Sequence, residues 1–169
     1  MAQLARKLQD ELGTSTTGQA GLIVRPSAAP PEGGDTATEV ENALHGDGTL
    51  FGVAYRVQAD DHDHAWVIAE AETLDALTRS LERASGALQV QGVGERLLAA
   101  VFPFTWMDTR LYWICHPKTG RYTPFVPKGD PQDQLRDYPL EVRMEKALRK
   151  DMPTERDVTE WYPLWGLPI

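Results

Sequence analysis

The sequence predicts an α+β fold in which an antiparallel sheet of five to six strands carries helices packed on it. Strand-like stretches are joined by short turns containing proline or glycine, and a parallel pairing would need longer crossovers. An apolar stripe at steps of three and four marks one long helix, and a second, shorter stripe follows near residue 140. A chain of 169 residues is also long enough for one domain with a real core and tails.

The N-terminal segment is predicted to be a short helix followed by a linker. Leucines recur there at helical spacing, at Leu4, Leu8 and Leu12, and Gly13 can end the helix. An isolated helix of this length is marginal in water, so it must dock on the core or on a partner. We therefore assign residues 1–19 to an N-terminal helix and linker, and residues 20–169 to a single α+β domain.

The domain begins with a predicted strand, a loop and a helix. Ala20–Val24 has the pattern of a strand, and Ser27–Asp35 is rich in proline and glycine, which is typical of a loop. Thr36 with Glu39 three residues later is a capping-box signature, so we expect Thr36 to cap a short helix. The residues that this helix is predicted to bury are Val40, Ala43 and Leu44.

A hairpin and the longest helix are predicted next. Leu50–Val57 and Ala65–Ala71 read as strands, and the connection Gln58–His64 is short enough for antiparallel pairing only. Thr73 can cap the helix that follows. Its predicted buried stripe consists of Leu74, Leu77, Leu81, Ala84 and Leu88.

Three strands, a helix and a tail complete the predicted order. Arg96–Phe104 is a mostly apolar strand, and Pro103 is expected to mark where it leaves the sheet. Leu111–Cys115 and a second strand from Tyr122 form a hairpin. The second strand should lie at or near an edge, because Pro124 and Pro127 cannot donate hydrogen bonds. Asp137 can cap the last helix. Its predicted buried face consists of Leu140, Met144, Ala147 and Leu148.

Charge and composition limit the classes of partner. The formal net charge is −8 and the pI is near 5, which disfavours nucleic acid and anionic lipid as direct partners. Cys115 is the single cysteine, so no internal disulfide can form, and no apolar run approaches the about 18–20 residues of a membrane span. Because the N-terminus also lacks the apolar segment of a signal peptide, we expect a cytoplasmic protein without direct membrane insertion.

The stretch Asp60–His64 has the residue types of a metal site. In an extended segment His62 and His64 point to the same side, whereas a zinc site needs at least three converging ligands. The missing ligand would have to come from His45 or His116. A solvated hairpin loop explains the same residues without a metal. Both interpretations stay open at this point, and no metal or cofactor is assigned.

Two other groups contain catalytic residue types without a catalytic arrangement. Glu70 and Glu72 lie before a helix, where negative charge is simply favourable. Cys115 and His116 are neighbours on a strand, so their side chains point to opposite faces and cannot share a proton. Neither a phosphate-binding glycine loop nor a nucleophile elbow is present. The sequence therefore predicts a protein that is not an enzyme.

The C-terminal tail, residues 161–169, is strongly apolar. It contains two tryptophans, a tyrosine and a terminal isoleucine, interrupted by Pro163 and Pro168. Such a segment either packs on its own domain or forms a binding site for a partner. Both interpretations fit the sequence.

Several segments together resemble the family of PspA-associated proteins called PspAB. They are Thr17–Pro26 (TGQAGLIVRP), Trp66–Ile68 (WVI), Gly92–Phe102 (GVGERLLAAVF), Tyr122–Pro127 (YTPFVP) and Trp161–Leu167 (WYPLWGL). The tail is the most specific of these, and the resemblance covers most of residues 14–169. It implies a small cytoplasmic accessory protein that accompanies the membrane-remodelling coiled-coil protein PspA in the envelope-stress response. It implies no catalytic residues.

From this resemblance we expect a non-enzymatic adaptor that binds a helical partner, plausibly PspA, through an apolar face, and that reaches the membrane only through that partner. The candidate partner-binding residues are Trp161, Tyr162, Leu164, Trp165, Tyr122 and Phe125. The element order is also similar to the YbjN and type III secretion chaperone fold. Two alternatives remain: a metal-dependent enzyme or metal-binding protein centred on the Asp60–His64 loop, and a homodimer whose tail packs across the two-fold axis.

Overall fold

The computed structural model describes residues 7–8, 10–28, 34–45 and 54–169. It confirms the α+β class, with a mostly antiparallel main sheet. Seven strands of the described residues belong to this sheet, against the five to six predicted. Similarity to the YbjN and type III secretion chaperone fold stays a prediction. In the described residues, no helix has the length and apolar character needed to cross a membrane.

The backbone forms two compact units. One consists of residues 18–100, and the other of residues 1–17 together with residues 101–169. The predicted boundary after residue 19 stays a prediction. The helices are α1 (Thr36–His45), α2 (Leu74–Val90) and α3 (Tyr138–Leu148). The strands are β1 (Ser15–Thr16), β2 (Gln19–Val24), β3 (Tyr55–Ala59), β4 (Ala65–Glu70), β5 (Leu97–Trp106), β6 (Thr109–His116), β7 (Arg121–Phe125), β8 (Pro127–Lys128) and β9 (Leu135–Arg136).

The unit of residues 18–100 contains the strands β3, β4 and β2 in that order, followed by the first four residues of β5. The predicted hairpin is confirmed, because β3 pairs antiparallel with β4 from Tyr55 opposite Ala69 to Ala59 opposite Ala65. Residues 50–53, where the first strand of that hairpin was predicted to begin, lie outside the described residues. The Thr73 cap of α2 is also confirmed, since its Oγ1 accepts the Ala76 N–H at 3.2 Å. All five residues of the predicted α2 stripe are buried.

The cap of α1 differs from the prediction by one residue. The helix buries Val40, Ala43 and Leu44 as expected, but Thr36 is its first residue and not its cap. Asp35 precedes it, and its Oδ1 accepts the Thr38 N–H at 2.7 Å. Aspartate is as good a helix cap as threonine. The Thr36 hydroxyl instead donates to Asp63 Oδ2 in the loop Asp60–His64, at 3.0 Å.

The unit of residues 1–17 and 101–169 has the strand order β5-β6-β7, with β1 pairing with β5. In the N-terminal segment Leu8 and Leu12 are buried and Gly13 (φ 64°) follows the helical residues, whereas Leu4 lies outside the described residues. The hairpin β6–β7 is antiparallel, and Gly120 at φ 64° closes its turn. Strand β7 ends the strand order, as its prolines predicted.

The prediction that β5 leaves the sheet at Pro103 is wrong. Strand β5 continues to Trp106, and β1 pairs with its last residues, with Thr16 opposite Phe104 and Ser15 opposite Thr105. Proline removes one N–H donor but keeps its acceptor, and the Pro103 carbonyl accepts the Thr17 N–H at 3.3 Å. A single missing donor therefore does not end the strand.

The predicted buried face of α3 is only half right. Met144 and Leu148 are fully buried as expected, whereas Leu140 and Ala147 are half-buried. Glu141 and Glu145 take their place and are 0% and 2% exposed. Buried carboxylates require partners: Glu141 is met by Arg136 and the Val126 N–H, and Glu145 by Thr154 and Arg149.

Candidate functional site

Trp161, at the start of the tail, is buried and held by hydrogen bonds at two points. Its side chain is 4% exposed, and its Nε1 donates to the carbonyl of Glu155 at 2.9 Å. Its own carbonyl accepts a hydrogen bond from Arg136 Nη1 at 2.9 Å. Because the indole N–H and the backbone carbonyl both have partners, Trp161 is buried without an unpaired polar group. Trp161 therefore anchors the tail to its own unit.

The rest of the tail packs on β6 and β7. Trp165 meets the Phe125 ring edge-on at 4.9 Å between centroids, a favourable aromatic geometry. Ile169 is buried, and its carbonyl accepts the Tyr112 hydroxyl at 3.2 Å. The tail therefore covers Phe125, which is fully buried.

Arg136 and Glu141 form the polar centre of this region. Arg136 Nε lies 2.8 Å and 3.0 Å from the two carboxylate oxygens of Glu141, and the Val126 N–H donates to the same carboxylate at 2.8 Å. Burial raises the pKa of the Glu141 carboxyl, while Arg136 and the Val126 N–H oppose that rise. The Arg136 guanidinium also lies over the Phe125 ring, 5.6 Å from its centroid. One arginine thus links α3, β7 and Trp161.

Glu145 repeats this arrangement one turn further along α3. The Thr154 hydroxyl donates to its Oε1 at 2.7 Å, and Arg149 pairs with its Oε2. Thr154 is itself held against β7, because the Tyr122 N–H donates to the Pro153 carbonyl and the Glu155 N–H donates to the Tyr122 carbonyl, both at 2.9 Å. Residues 153–155, just before the tail, are therefore held by Glu145 of α3 on one side and by Tyr122 of β7 on the other.

Large apolar side chains remain exposed in the segments that flank Trp161 and its partner Arg136. Seven such side chains are exposed among the described residues, and four of them fall between residues 135 and 162. We call these four the Trp161 surface: Tyr162 (59% exposed), Leu135 (55%), Tyr138 (44%) and Val158 (41%). Tyr138 lies 6.1 Å from the Trp161 ring, and the Val158 carbonyl accepts the Trp161 N–H at 3.3 Å. Grouped apolar exposure of this kind is typical of a docking surface.

The structure separates the six predicted partner-binding residues by accessibility. Trp161 and Phe125 are buried, Tyr162 is exposed, and Leu164, Trp165 and Tyr122 are half-buried. A partner can thus contact Tyr162 fully and three others in part. Sequence reasoning missed Leu135, Tyr138 and Val158. The available signal was an apolar residue close to an aspartate that can cap a helix: Leu135 and Tyr138 near Asp137, and Val158 next to Asp157.

The Asp60–His64 loop forms a second candidate site, in the unit of residues 18–100. Asp60 Oδ1 accepts the N–H groups of His62 and His64 at 2.9 and 3.0 Å, and its Oδ2 accepts Trp66 Nε1 at 3.1 Å. Burial of the carboxyl disfavours its ionised form, but these hydrogen bonds together hold its pKa below the ordinary value. One ligand atom from each of Asp60, His62 and His64 lies within 4.8 Å of the other two.

The third member of this cluster is Asp60, and neither His45 nor His116, the two histidines considered from the sequence, takes that place. His45 Nδ1 instead lies 2.8 Å from the Glu41 carbonyl, and His116 Nε2 lies 3.2 Å from the Thr123 hydroxyl. Asp60 reaches the cluster because Asp63 adopts φ 59°, which turns the loop back on itself. In an extended segment Asp60, His62 and His64 would lie on one side, but a rise of about 3.3 Å per residue would keep Asp60 and His64 too far apart to share an ion.

Comparison with known proteins gave one result. The family model described as PspAB, PspA associated protein B, matches residues 1–169. A search of curated proteins found no match to the chain. A search of solved structures also found no match.

Proposed function

Because the chain belongs to the PspA associated protein B family, we propose that it is a non-enzymatic accessory protein that binds PspA through the Trp161 surface. The observation that carries this proposal is a set of exposed apolar side chains in the segments that meet at Trp161, a buried tryptophan held by hydrogen bonds. Complete burial of a leucine or valine side chain is worth about 1.5–3 kcal/mol, so a partner that covers Leu135 and Val158 gains affinity.

The surroundings of the surface favour a partner with apolar and basic side chains. Asp157 and Glu160 are exposed beside Val158 and Tyr162, and the net charge of the chain is −8. The Tyr162 hydroxyl donates to Glu160 Oε2 at 3.3 Å, and the Glu160 charge raises the pKa of that hydroxyl. An apolar centre with a charged rim is the usual composition of a protein interface, and the acidic rim would steer a basic partner. An amphipathic helix of a coiled-coil partner fits this chemistry.

Rigidity supports the same proposal. Trp161 is held by Arg136 and by the Glu155 carbonyl, so the backbone next to it, which carries Tyr162, is held in place before a partner arrives. Binding to a preformed surface avoids part of the ordering cost that weakens association. We propose a cytoplasmic location for this interaction, in keeping with a chain that has only one cysteine.

The test is a binding measurement between the purified full chain and purified PspA. Replacing Tyr162 with alanine should weaken binding by roughly 5- to 30-fold, since truncation of a central aromatic residue costs about 1–2 kcal/mol or more. Leu135→Ala should weaken it as well. The matched control is Met107→Ala, because Met107 is 83% exposed in the same unit but does not belong to the Trp161 surface.

Each outcome has a clear meaning. Equal binding by the wild type and by Tyr162→Ala/Leu135→Ala would place the PspA site elsewhere, and no binding by the wild type would overturn the proposal. A second copy of this chain is the competing occupant of the surface. Light scattering over a range of concentrations detects it, and a dimer that dissociates on Tyr162→Ala would assign the surface to self-association.

A further inference from the structure

We propose that the Asp60–His64 loop binds one divalent transition-metal ion, of the zinc, nickel or cobalt class, through Asp60, His62 and His64. Among the described residues these three form the one group whose ligand atoms lie within 4.8 Å of one another. The loop lies in the unit of residues 18–100, whereas the Trp161 surface belongs to the other unit, so this site does not depend on the proposed PspA interaction.

The spacing of two of the ligands already suits a metal ion. Asp60 Oδ2 and His64 Nδ1 are 3.1 Å apart. Two ligands about 2.0–2.1 Å from a zinc ion are roughly 2.9–3.4 Å apart in octahedral or tetrahedral geometry. Oδ2 and Nδ1 are hydrogen-bonded to each other, and an ion bound between them would replace that hydrogen bond. The ligand atom of His62 lies within 4.8 Å of the other two, so its exposed ring has to approach them to complete the three-ligand set.

The carboxylate is fixed by groups outside the ligand set. Trp66 lies on β4, is 3% exposed, and donates its Nε1 to Asp60 Oδ2. The Thr36 hydroxyl of α1 donates to Asp63 Oδ2 and thereby fixes the loop residue between the two histidines. Outer contacts that orient metal ligands typically raise metal affinity, because less order is lost on binding. The loop is thus held in shape from β4 and from α1.

The donor set selects the class of ion. Two of the three ligands are imidazole nitrogens, which bind zinc, nickel, cobalt and copper in preference to magnesium or calcium. The histidines are exposed or half-buried, so the remaining coordination positions face water. Such a site holds an ion that exchanges with solvent.

The experiment is isothermal titration of the purified full chain with zinc chloride. We expect one ion per chain, with the affinity falling at least tenfold in His62→Gln and in His64→Gln, and no binding of magnesium chloride. His45→Gln is the matched control, because it removes an exposed histidine of the same unit that lies outside the cluster. Histidine ¹⁵N chemical shifts provide the second measurement, since zinc should shift the ring nitrogens of residues 62 and 64 and leave those of residue 45 in place.

Several results would overturn the assignment. These are the absence of zinc binding by the wild type, equal zinc affinity in His62→Gln and the wild type, and zinc binding lost only in His45→Gln. Magnesium binding with an affinity comparable to that of zinc would contradict the imidazole ligands. Circular dichroism of each variant shows whether it is folded, and His62 is exposed, so its replacement tests the site without disturbing the core.

Discussion

Replacing Arg136 with methionine should destabilise the protein strongly, because Arg136 is the counter-ion of a fully buried carboxylate. Glu141 is 0% exposed and would keep only the Val126 N–H as a partner. Removing one member of a buried ion pair costs about 3–5 kcal/mol. Losing the hydrogen bond to the Trp161 carbonyl adds about 1 kcal/mol. Domains of ordinary stability have about 5–15 kcal/mol in total, so the loss should be obvious in urea unfolding.

The destabilisation should also depend on pH in a defined direction. Burial already raises the pKa of Glu141 above its ordinary value of 4.5, and loss of Arg136 removes a group that opposes this rise. A carboxyl whose pKa is raised in the folded state stabilises that state below its unfolded pKa, and the stabilisation is lost as pH rises through the folded pKa. The deficit of Arg136→Met relative to the wild type should therefore be largest at neutral pH and shrink towards pH 4.5.

Two further variants isolate the cause. Arg136→Met/Glu141→Met should recover much of the loss, because a buried ion pair can be replaced by apolar side chains at little cost. Arg121→Met is the matched control: its side chain is 52% exposed and pairs with Glu155 at 3.0 Å, so its loss should cost about 0–1 kcal/mol. A pH-independent loss below about 1 kcal/mol for Arg136→Met would refute the reasoning, because exposed pairs have that magnitude.

Three other predictions concern the glycines, an acidic group and the single thiol. Gly94→Ala should lower the free energy of unfolding by about 1–3 kcal/mol, because the new Cβ would lie 2.9 Å from Gln89 Cα. Gly86 lies inside α2 with open space around it, so Gly86→Ala should raise the free energy of unfolding by about 0.5–1 kcal/mol. Thermal unfolding of both variants checks this, and equal shifts would contradict it. The Asp157 N–H, helped by Arg121, holds the pKa of Glu155 below 4.5. The stabilisation that ionised Glu155 gives the folded state is therefore present above pH 4.5 and is lost as pH falls through the folded pKa. The stability difference between the wild type and Glu155→Gln should close in acid, and a difference that widens there would show the sign to be wrong. Burial raises the pKa of the Cys115 thiol, so Ellman's reagent at pH 8 should label it more slowly in the folded protein than in urea, and equal rates would contradict its burial.

Local patterns were enough to predict the regular elements of this chain. The leucine stripe of α2, its Thr73 cap and the β3–β4 hairpin depend on periodicity and short connections, which are properties of neighbouring residues. The edge position of β7 followed from prolines that cannot donate hydrogen bonds. These features are local, so no knowledge of the packing was needed.

The buried carboxylates and the two candidate sites required the tertiary structure. Glu141 can face inwards on α3 only because Arg136 and the Val126 N–H meet it there, and hydrophobic patterning ranks a glutamate as exposed. Asp60 joins His62 and His64 only because the loop turns back at Asp63. The exposed members of the Trp161 surface come from two stretches separated along the chain, residues 135–138 and 158–162.

The amino-acid sequence by itself determined the α+β class, most of the helices and strands, and the family to which the chain belongs. Only the tertiary structure decided which apolar residues of the tail are buried, which remain accessible, and which charges meet. The physical reason is that periodicity encodes which face of an element is apolar, whereas burial of a charge or exposure of an aromatic ring depends on groups distant in the chain.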